Sequence, residues 1–476
     1  PAFEDASAGG AQTHSFVANG AITAGDLVSL EADGKVSTTV SSITEAVEFT
    51  ANNPDHLTTA YDTNLNKVVV AYQDVGNSYY GTAVVGTVAD GAITFGTPVV
   101  FESANSQTIS SCFDSTTNKV VIAYRDAGNG FYGTAIVGTV SGTSISFGTP
   151  VVFESANMYY TAIAFDSNTG DVVIAYRDST NSNKGTAVVG VVSGTDISFG
   201  TPVVFEDGTS GDVRIAFDVN AAKMVIIYWD AVSDGHAIVG TVSGTDISFG
   251  TAVVFETDTT SYFDIVYDPD SLKVVVAYYA NVVGGGLRSL VGTISGTDIS
   301  FGAKTAINNT VCYGTNLTYD TTLNKVIVYY RYLTTDARVN IGTVSGTTIS
   351  FSAEQIIYLG NPQGSLPAIY DPDSNRTILV YEPVGNTGVA TLFNAALVNT
   401  TGDWIGIANA DAADAAACAV RLLGSVAPGQ TSLSAASTYY LQRGGTLGTT
   451  VISGREVGRA VSATEILITQ PSVALG

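Results

Sequence analysis

The sequence is poor in the residues on which most enzymes and metal sites rely. Its 476 residues include three cysteines, three histidines, two methionines and two tryptophans. Cys112, Cys312 and Cys418 are odd in number, far apart and in no metal-ligand spacing. They therefore read as buried free thiols rather than as a disulfide framework or a zinc site. His14, His56 and His236 do not recur and sit in no recognisable serine or cysteine motif, which argues against a nucleophilic triad. His236, following Gly235, reads as an ordinary surface histidine in a loop. No apolar run approaches the roughly 18 residues of a membrane span, so no membrane insertion is expected. The start at Pro1 has neither the basic opening nor the apolar stretch of a signal peptide and reads as a cytosolic product whose initiator methionine is removed, although a processed mature chain would look the same. Charge is scarce, at 13% of residues, and lopsided: 19 basic against 43 acidic residues give a net charge of −24. Residues 40–401 hold 33 acidic and 14 basic side chains. Such a surface repels phosphate backbones and excludes nucleic acid as a partner. No pattern for a cofactor or a metal is present.

What the sequence has in quantity is glycine (50), tyrosine (24), and much Val, Thr and Ser, the composition of pleated, half-buried β surface. Self-similarity is its dominant signal. An aromatic-Asp pair recurs at Tyr61-Asp62, Phe113-Asp114, Phe165-Asp166, Phe217-Asp218, Tyr267-Asp268, Tyr319-Asp320 and Tyr370-Asp371, at intervals of 52, 52, 52, 50, 52 and 51 residues. Phe95, Phe147, Phe199, Phe249, Phe301 and Phe351 run in phase with it. Each unit reads as four short strands. In the second, Ser110 to Phe113 ends one strand, Lys119 to Tyr124 is the next, Gly133 to Val140 the third and Ile145 to Phe153 a bulged outer strand carrying Gly148 and Pro150. Four antiparallel strands at a fixed period make the blade of a propeller. The seventh copy supplies three strands, and Ile43 to Phe49 echoes the missing fourth. The fold expected is all-β: a seven-bladed β-propeller with four-stranded blades, closed by an N-terminal strand and inserted in a small β-barrel or sandwich.

The expected division is a flexible arm over 1–13, a first part of the flanking module over 14–39, the propeller over 40–401 and the second part of the module over 402–476. In the module, two strands flank an Ala32-Asp33-Gly34 turn, and Trp404 to Ala408, Val420 to Val426, Thr438 to Gln442 and Ile466 to Thr469 read as further strands. The Ala-rich stretch from Ala408 to Val420 is open to a helical turn.

Tyr72, Tyr124, Tyr176, Tyr228, Tyr278, Tyr330 and Tyr381 end the second strands among Val, Ile and Ala, as expected of strands packed on both faces. Gly86, Gly138, Gly190, Gly240, Gly292 and Gly342 read as places of strong twist or close approach by a neighbouring blade. The repeating Asp of the aromatic-Asp pair is a turn-capping residue, because a catalytic acid is needed once or twice and not seven times. Asp74, Asp126, Asp178 and Asp230 recur in four units only. Asp268-Pro-Asp-Ser and Asp371-Pro-Asp-Ser have the spacing of a calcium loop without its Gly and distal Glu, so turn chemistry is preferred. Arg125, Arg177 and Arg331 resemble a sialidase arginine set, but the Asp-box turns are missing and the blade number differs. Turns such as Ser141-Gly142-Thr143 are uniform, whereas the connections at the other end vary and carry Tyr79, Tyr80, Phe131, Tyr132, Tyr159, Tyr160 and Tyr262. These aromatics are the candidate ligand-binding residues, placed on loops along one rim.

The phrases from Lys119 to Asp126 and from Gly133 to Phe147, with Ala18 to Asp26, Leu423 to Val426, Arg443 to Thr446 and Gly458 to Leu467 in the flanks, resemble repeat-containing fibre and virion surface proteins of marine tailed bacteriophages. That resemblance implies a non-enzymatic fibre or capsid decoration protein, assembled in the host cytoplasm and displayed on the virion. Its implied partners are other virion proteins and a host surface glycan or protein. It also implies a homotrimer, for which residues 402–476, with five acidic and four basic side chains, offer the least self-repulsion. Two other readings stand beside it, a secreted or cell-surface lectin-like propeller of a bacterium and a glycan-degrading enzyme.

Overall fold

The structure, a computed structural model, describes residues 43–281, 285–364 and 366–397 and, outside these, the backbones of ten short strands. It is all-β: the described residues form antiparallel sheets and three short 3-10 segments, with no α-helix. The chain divides into two compact units, Pro1–Glu45 with Asn394–Gly476, and Ala46–Phe393.

In the larger unit each repeat forms one antiparallel sheet. The second repeat is representative. Residues 106–114, the latter part of the long strand Val99–Asp114, pair with Lys119–Asp126, which pairs with Tyr132–Ser141. The fourth strand comes in two pieces, Ser144–Phe147 and the beginning of Val151–Asp166, both on the third strand. The break between the pieces falls at Gly148-Thr149-Pro150, where proline has no N–H to give a ladder. The last sheet has Ala368–Asp371, Arg376–Tyr381 and Gly388–Phe393, with Val47–Thr50 as its fourth strand in the register Gly388↔Thr50 and Val389↔Glu48. The first strands of successive repeats lie side by side, and Ala368–Asp371 of the seventh lies against both Cys312–Asp320 of the sixth and Pro54–Asp62 of the first. The fold is therefore propeller-like.

The strand boundaries differ from expectation in one instructive place. Val99–Asp114 and Val151–Asp166 each run without a turn from the outer strand of one repeat into the first strand of the next. No Gly or Pro interrupts either segment, although the extended backbone bulges at Thr108 and Tyr160. Tyr159 and Tyr160 consequently lie in a strand, not a loop, and Tyr262 lies in Thr260–Asp268. His236 is also in a strand, Gly235–Ser243, and is mostly buried.

The second strands are the centre of each sheet and are packed on both faces. Val120, Val121, Ile122, Ala123 and Tyr124 are all fully buried. Between sheets, the Phe that ends a fourth strand packs on the Tyr that ends the next repeat's second strand. Ring centroids lie 5.3 Å apart for Phe101–Tyr124 and Phe153–Tyr176, and 5.2 Å for Phe205–Tyr228. The Glu after that Phe accepts the same Tyr hydroxyl, as in Tyr124 to Glu102 at 3.0 Å and Tyr176 to Glu154 at 2.9 Å. Phe49, next to the seventh sheet's last strand residue, meets Tyr72 of the first at 5.5 Å and so continues the series.

The aromatic-Asp carboxylates cap turns, as expected. Asp62 accepts the N–H groups of Asn64 and Leu65, and Asp114 those of Thr116 and Thr117. Asp268 and Asp371, each in an Asp-Pro-Asp-Ser stretch, do the same for Asp270 and Ser271 and for Asp373 and Ser374. The Gly138 set does not meet a neighbouring repeat: a Cβ at Gly138 would lie 2.7 Å from Ile145 of its own sheet's outer strand. Close approach between repeats occurs instead at Gly148, where a Cβ would lie 2.0 Å from the Thr195 carbonyl oxygen in the next repeat's Ser-Gly-Thr turn. Cys312 is buried and free, whereas Cys112 is free but only partly buried. Cys418 lies on Ala417–Arg421, where its side chain is outside the described residues.

In the smaller unit, N-terminal and C-terminal strands share a sheet. Thr13–Val17 pairs with Ala417–Arg421, and Leu27–Leu30 pairs with both Val36–Thr38 and Trp404–Ala408. A second sheet joins Val426–Pro428, Thr438–Leu441, Leu447–Gly448, Glu456–Ala460 and Glu465–Ile468. The Ala32-Asp33-Gly34 turn, residues 1–12 and most of the Ala-rich stretch lie outside the described residues.

If the first and seventh sheets hold one another as the others do, Phe49→Ala should cost about 3 kcal/mol of stability, close to the cost of Phe101→Ala. Urea unfolding of both variants checks this. A cost for Phe49→Ala under about 1 kcal/mol would mean that the seventh sheet is not locked to the first.

Candidate functional site

The site is built where second strands end and first strands begin. Register places these at one end of each sheet: Asp126 pairs with Tyr132, Tyr132 with Asn157, and Met158 with Asp178. The Ser-Gly-Thr turns join third and fourth strands at the opposite end. Their Gly residues have positive φ, 61° at Gly142 and 66° at Gly194, as a two-residue hairpin requires.

One position at the connection end stands out when the repeats are compared. The residue after each buried second-strand Tyr is Gln73, Arg125, Arg177, Trp229, Tyr279, Arg331 or Glu382. Their partners across the ladder are Asp55, Gln107, Tyr159, Gly211, Ser261, Tyr313 and Gln363. The frame repeats while these side chains do not. Just beyond them each of the first six first strands bulges, with positive φ at His56, Thr108, Tyr160, Asp212, Tyr262 and Gly314. A bulge re-aims side chains and is common beside binding sites.

The candidate aromatics fall into separate groups. Tyr79 is exposed, at 46%, in the first repeat's connection, and Tyr80 opens the strand Tyr80–Ala89. Phe131, exposed at 39%, lies 4.0 Å from the Arg125 guanidinium, and Tyr132 opens Tyr132–Ser141. Tyr159 takes Arg125 at 4.2 Å and Arg177 at 4.9 Å, and Tyr160 takes Arg177 at 4.7 Å. Tyr160 then meets Trp229 edge-on at 6.1 Å. The structure thus joins Phe131, Tyr159 and Tyr160 into one ladder of alternating rings and guanidiniums. Tyr262, exposed at 37%, belongs to another group: it meets Tyr313 at 5.4 Å, over which Arg331 sits at 4.8 Å.

Trp229, Tyr313 and the stacking role of the arginines escape a residue-by-residue reading. Their signal was positional, since each holds the same phase as Gln73 or Glu382, or pairs with a residue that does. Asp74, Asp126, Asp178 and Asp230 cap their connections; Asp126 accepts from Gly128 and Asn129, and Asp230 from Val232 and Asp234. Asp230, Asp234 and His236 bring possible metal-ligand atoms within 4.8 Å of one another. Asp230 is already committed to its loop, and His236 stacks on Tyr228 at 5.4 Å. Glu382 is buried, and that burial, with Asp55 nearby, pushes its carboxyl up to about 7.

No protein-family model and no curated protein sequence matches the chain. Among solved structures it is similar to the BP39L lectin of Burkholderia pseudomallei, with 11% identity and a TM-score of 0.54 over 72% of this chain and 97% of that one. It is also similar to AofleA of Arthrobotrys oligospora (9% identity, TM-score 0.42, 65% and 89% covered). A third is Trypanosoma rangeli sialidase (11% identity, TM-score 0.40, 79% and 57% covered). The first likeness supports a propeller-like all-β fold.

Because the folded Glu382 carboxyl holds its proton up to about pH 7, its favourable contribution is complete below the ordinary carboxylate pKa and is lost as pH rises through 7. Glu382→Gln mimics the protonated form. Thermal unfolding should show equal midpoints for variant and parent at pH 4 and a higher midpoint for the variant at pH 8. A variant no more stable at pH 8 would contradict the assignment.

Proposed function

We propose that the chain is a seven-bladed β-propeller carried on a small β-barrel or sandwich, and that it binds carbohydrate, without catalysis, through the connection end of its blades. The observation that carries this reading is the set of variable side chains on an otherwise repeating frame, with exposed Phe131 and Tyr262 beside it. A rigid β scaffold with rings presented on its bulges and connections suits stacking on sugar faces. The likeness to a bacterial lectin supports the lectin-like reading more than the fibre reading. Display on a bacteriophage virion is a separate proposal that rests on the wording of the repeats. Non-enzymatic action is supported by the carboxylates that recur in every repeat, since they are engaged in capping turns.

Tyr160 packs partly against the core, so replacing it would confuse binding with stability. Phe131 and Tyr262 are the better probes. At about 1 kcal/mol for each stacked ring, Phe131→Ala with Tyr262→Ala should weaken glycan binding about tenfold or more. Stability should change by no more than about 1 kcal/mol. Glycan-array screening followed by calorimetry of parent and double variant is the measurement. Unchanged binding by the double variant would remove the connection end as the site.

A further inference from the structure

The ligand's charge can be inferred from two arginines that have no counter-ion. The repeat region holds 33 acidic against 14 basic residues. Among the described residues, Lys184, Arg214, Lys304 and Arg338 each have an acidic partner within 4 Å. Arg125 and Arg177 have none, nor do Arg331 and Arg376, so it is their pairing on one ring that sets these two apart. Arg125 is buried and gives Nε and Nη2 to the Asn157 side-chain oxygen, at 3.1 and 2.9 Å, and Nη1 to that of Gln107. Both acceptors are neutral amides. Arg177 has its Nε buried without any hydrogen-bond partner.

The two guanidiniums also share a ring. Each stacks on Tyr159, at 4.2 and 4.9 Å from the centroid, which puts two like charges within about 9 Å of one another, near the screening length of physiological salt. Withdrawing unpaired cations from water is costly, and stacking on Phe131, Tyr159 and Tyr160 offsets only part of that cost. Asn157 and Gln107 already hold the edge of Arg125, whereas stacking occupies only the faces of Arg177 and leaves its Nη groups in plane to meet a carboxylate or a sulfate. The bulge residues beside them supply no acid: they are Thr108, next to Gln107, and Tyr160, itself part of the ladder.

We propose that the Arg125–Tyr159–Arg177 ladder is an anion subsite, and that it selects saccharides bearing a carboxylate or a sulfate ester. The saccharide part rests on the carbohydrate-binding reading above; the anion part does not. The exposed ring of Phe131 would pack on the sugar while the Nη groups of Arg177 hold its charged group.

The test is calorimetric titration of the full chain with an oligogalacturonate, a sulfated galactan oligosaccharide and a neutral galactan oligosaccharide. Thermal unfolding in sodium sulfate serves as a probe independent of sugars. Binding of at least one anionic oligosaccharide is expected to exceed that of the neutral one about tenfold. It should weaken by a similar factor in Arg177→Gln, weaken as salt is raised, and recover in part in Arg177→Lys. Which anionic sugar binds tells a carboxylate from a sulfate ester. If the neutral sugar binds equally well, or Arg177→Gln binds normally, the anion subsite is overturned and carbohydrate binding stands. If no saccharide binds but sulfate stabilises the parent more than Arg177→Gln, the anion subsite stands and the carbohydrate reading falls. If neither sulfate nor an anionic sugar distinguishes the parent from Arg177→Gln, the subsite is overturned.

Discussion

The structure of the larger unit depends on one buried contact, the tyrosine at the end of each second strand. In the second to fifth repeats its ring is held by a Phe from the preceding repeat, and its hydroxyl is held by the Glu that follows that Phe. Tyr228 with Phe205 and Glu206, and Tyr278 with Phe255 and Glu256, repeat the arrangement within 0.1 Å. A phenol withdrawn from water must find a partner or leave a costly orphan. The Phe-Glu dipeptide supplies both packing and acceptor from one strand, so sheet follows sheet at a fixed spacing. Each such aromatic pair adds on the order of 1 kcal/mol beyond the area it buries.

That contact explains why the next residue along is free to differ. The tyrosine fixes the end of the second strand, and the capped connection after it fixes the return of the chain. Between them, the side chain at the position of Arg125 has its backbone fully specified by its neighbours and its identity specified by nothing in the frame. Glutamine, arginine, tryptophan, tyrosine and glutamate all occupy it in one chain. Binding chemistry is thereby separated from folding. An uncompensated guanidinium or a buried Glu382 costs some stability at one position without disturbing the spacing of the sheets.

Much of this frame was legible in the sequence because it repeats. The period, the four-strand unit, the capping Asp and the buried Tyr each recur often enough for a local reading to be checked against six others. The long strands Val99–Asp114 and Val151–Asp166 were not legible, because the varied connections between units look like loops until pairing partners are known. That is why Tyr159 and Tyr160 were expected on a loop. The acceptor role of the Glu in the Phe-Glu dipeptide was also hidden, since a repeating carboxylate near a strand end reads as surface charge. The ladder itself was hidden for a different reason. Its members come from successive repeats, and stacking partners as far apart in the chain as Arg125 and Tyr159 leave no local pattern. Phase was the one available signal: Arg125, Arg177 and Trp229 all follow the same tyrosine.

The sixth repeat shows how strongly the buried phenol constrains its surroundings. Before it, the Phe-Glu pair is replaced by Ile307 and Asn308, so Tyr330 receives neither ring nor carboxylate from the preceding sheet. Its hydroxyl turns instead to Asn340 at 2.9 Å and Glu354 at 3.1 Å, both in its own repeat. Asn340 stands where other third strands carry an apolar residue such as Ile136 or Leu290, a substitution that would be costly in a core without that partner. Glu354 is in turn held by Asn308 at 3.0 Å and by Arg338, which packs over Tyr332 at 3.4 Å. Loss of the acceptor from one side is thus matched by a new acceptor on the other, four residues having changed around a tyrosine that did not. The sixth repeat departs from the common wording around this tyrosine, and the hydroxyl still finds its partners.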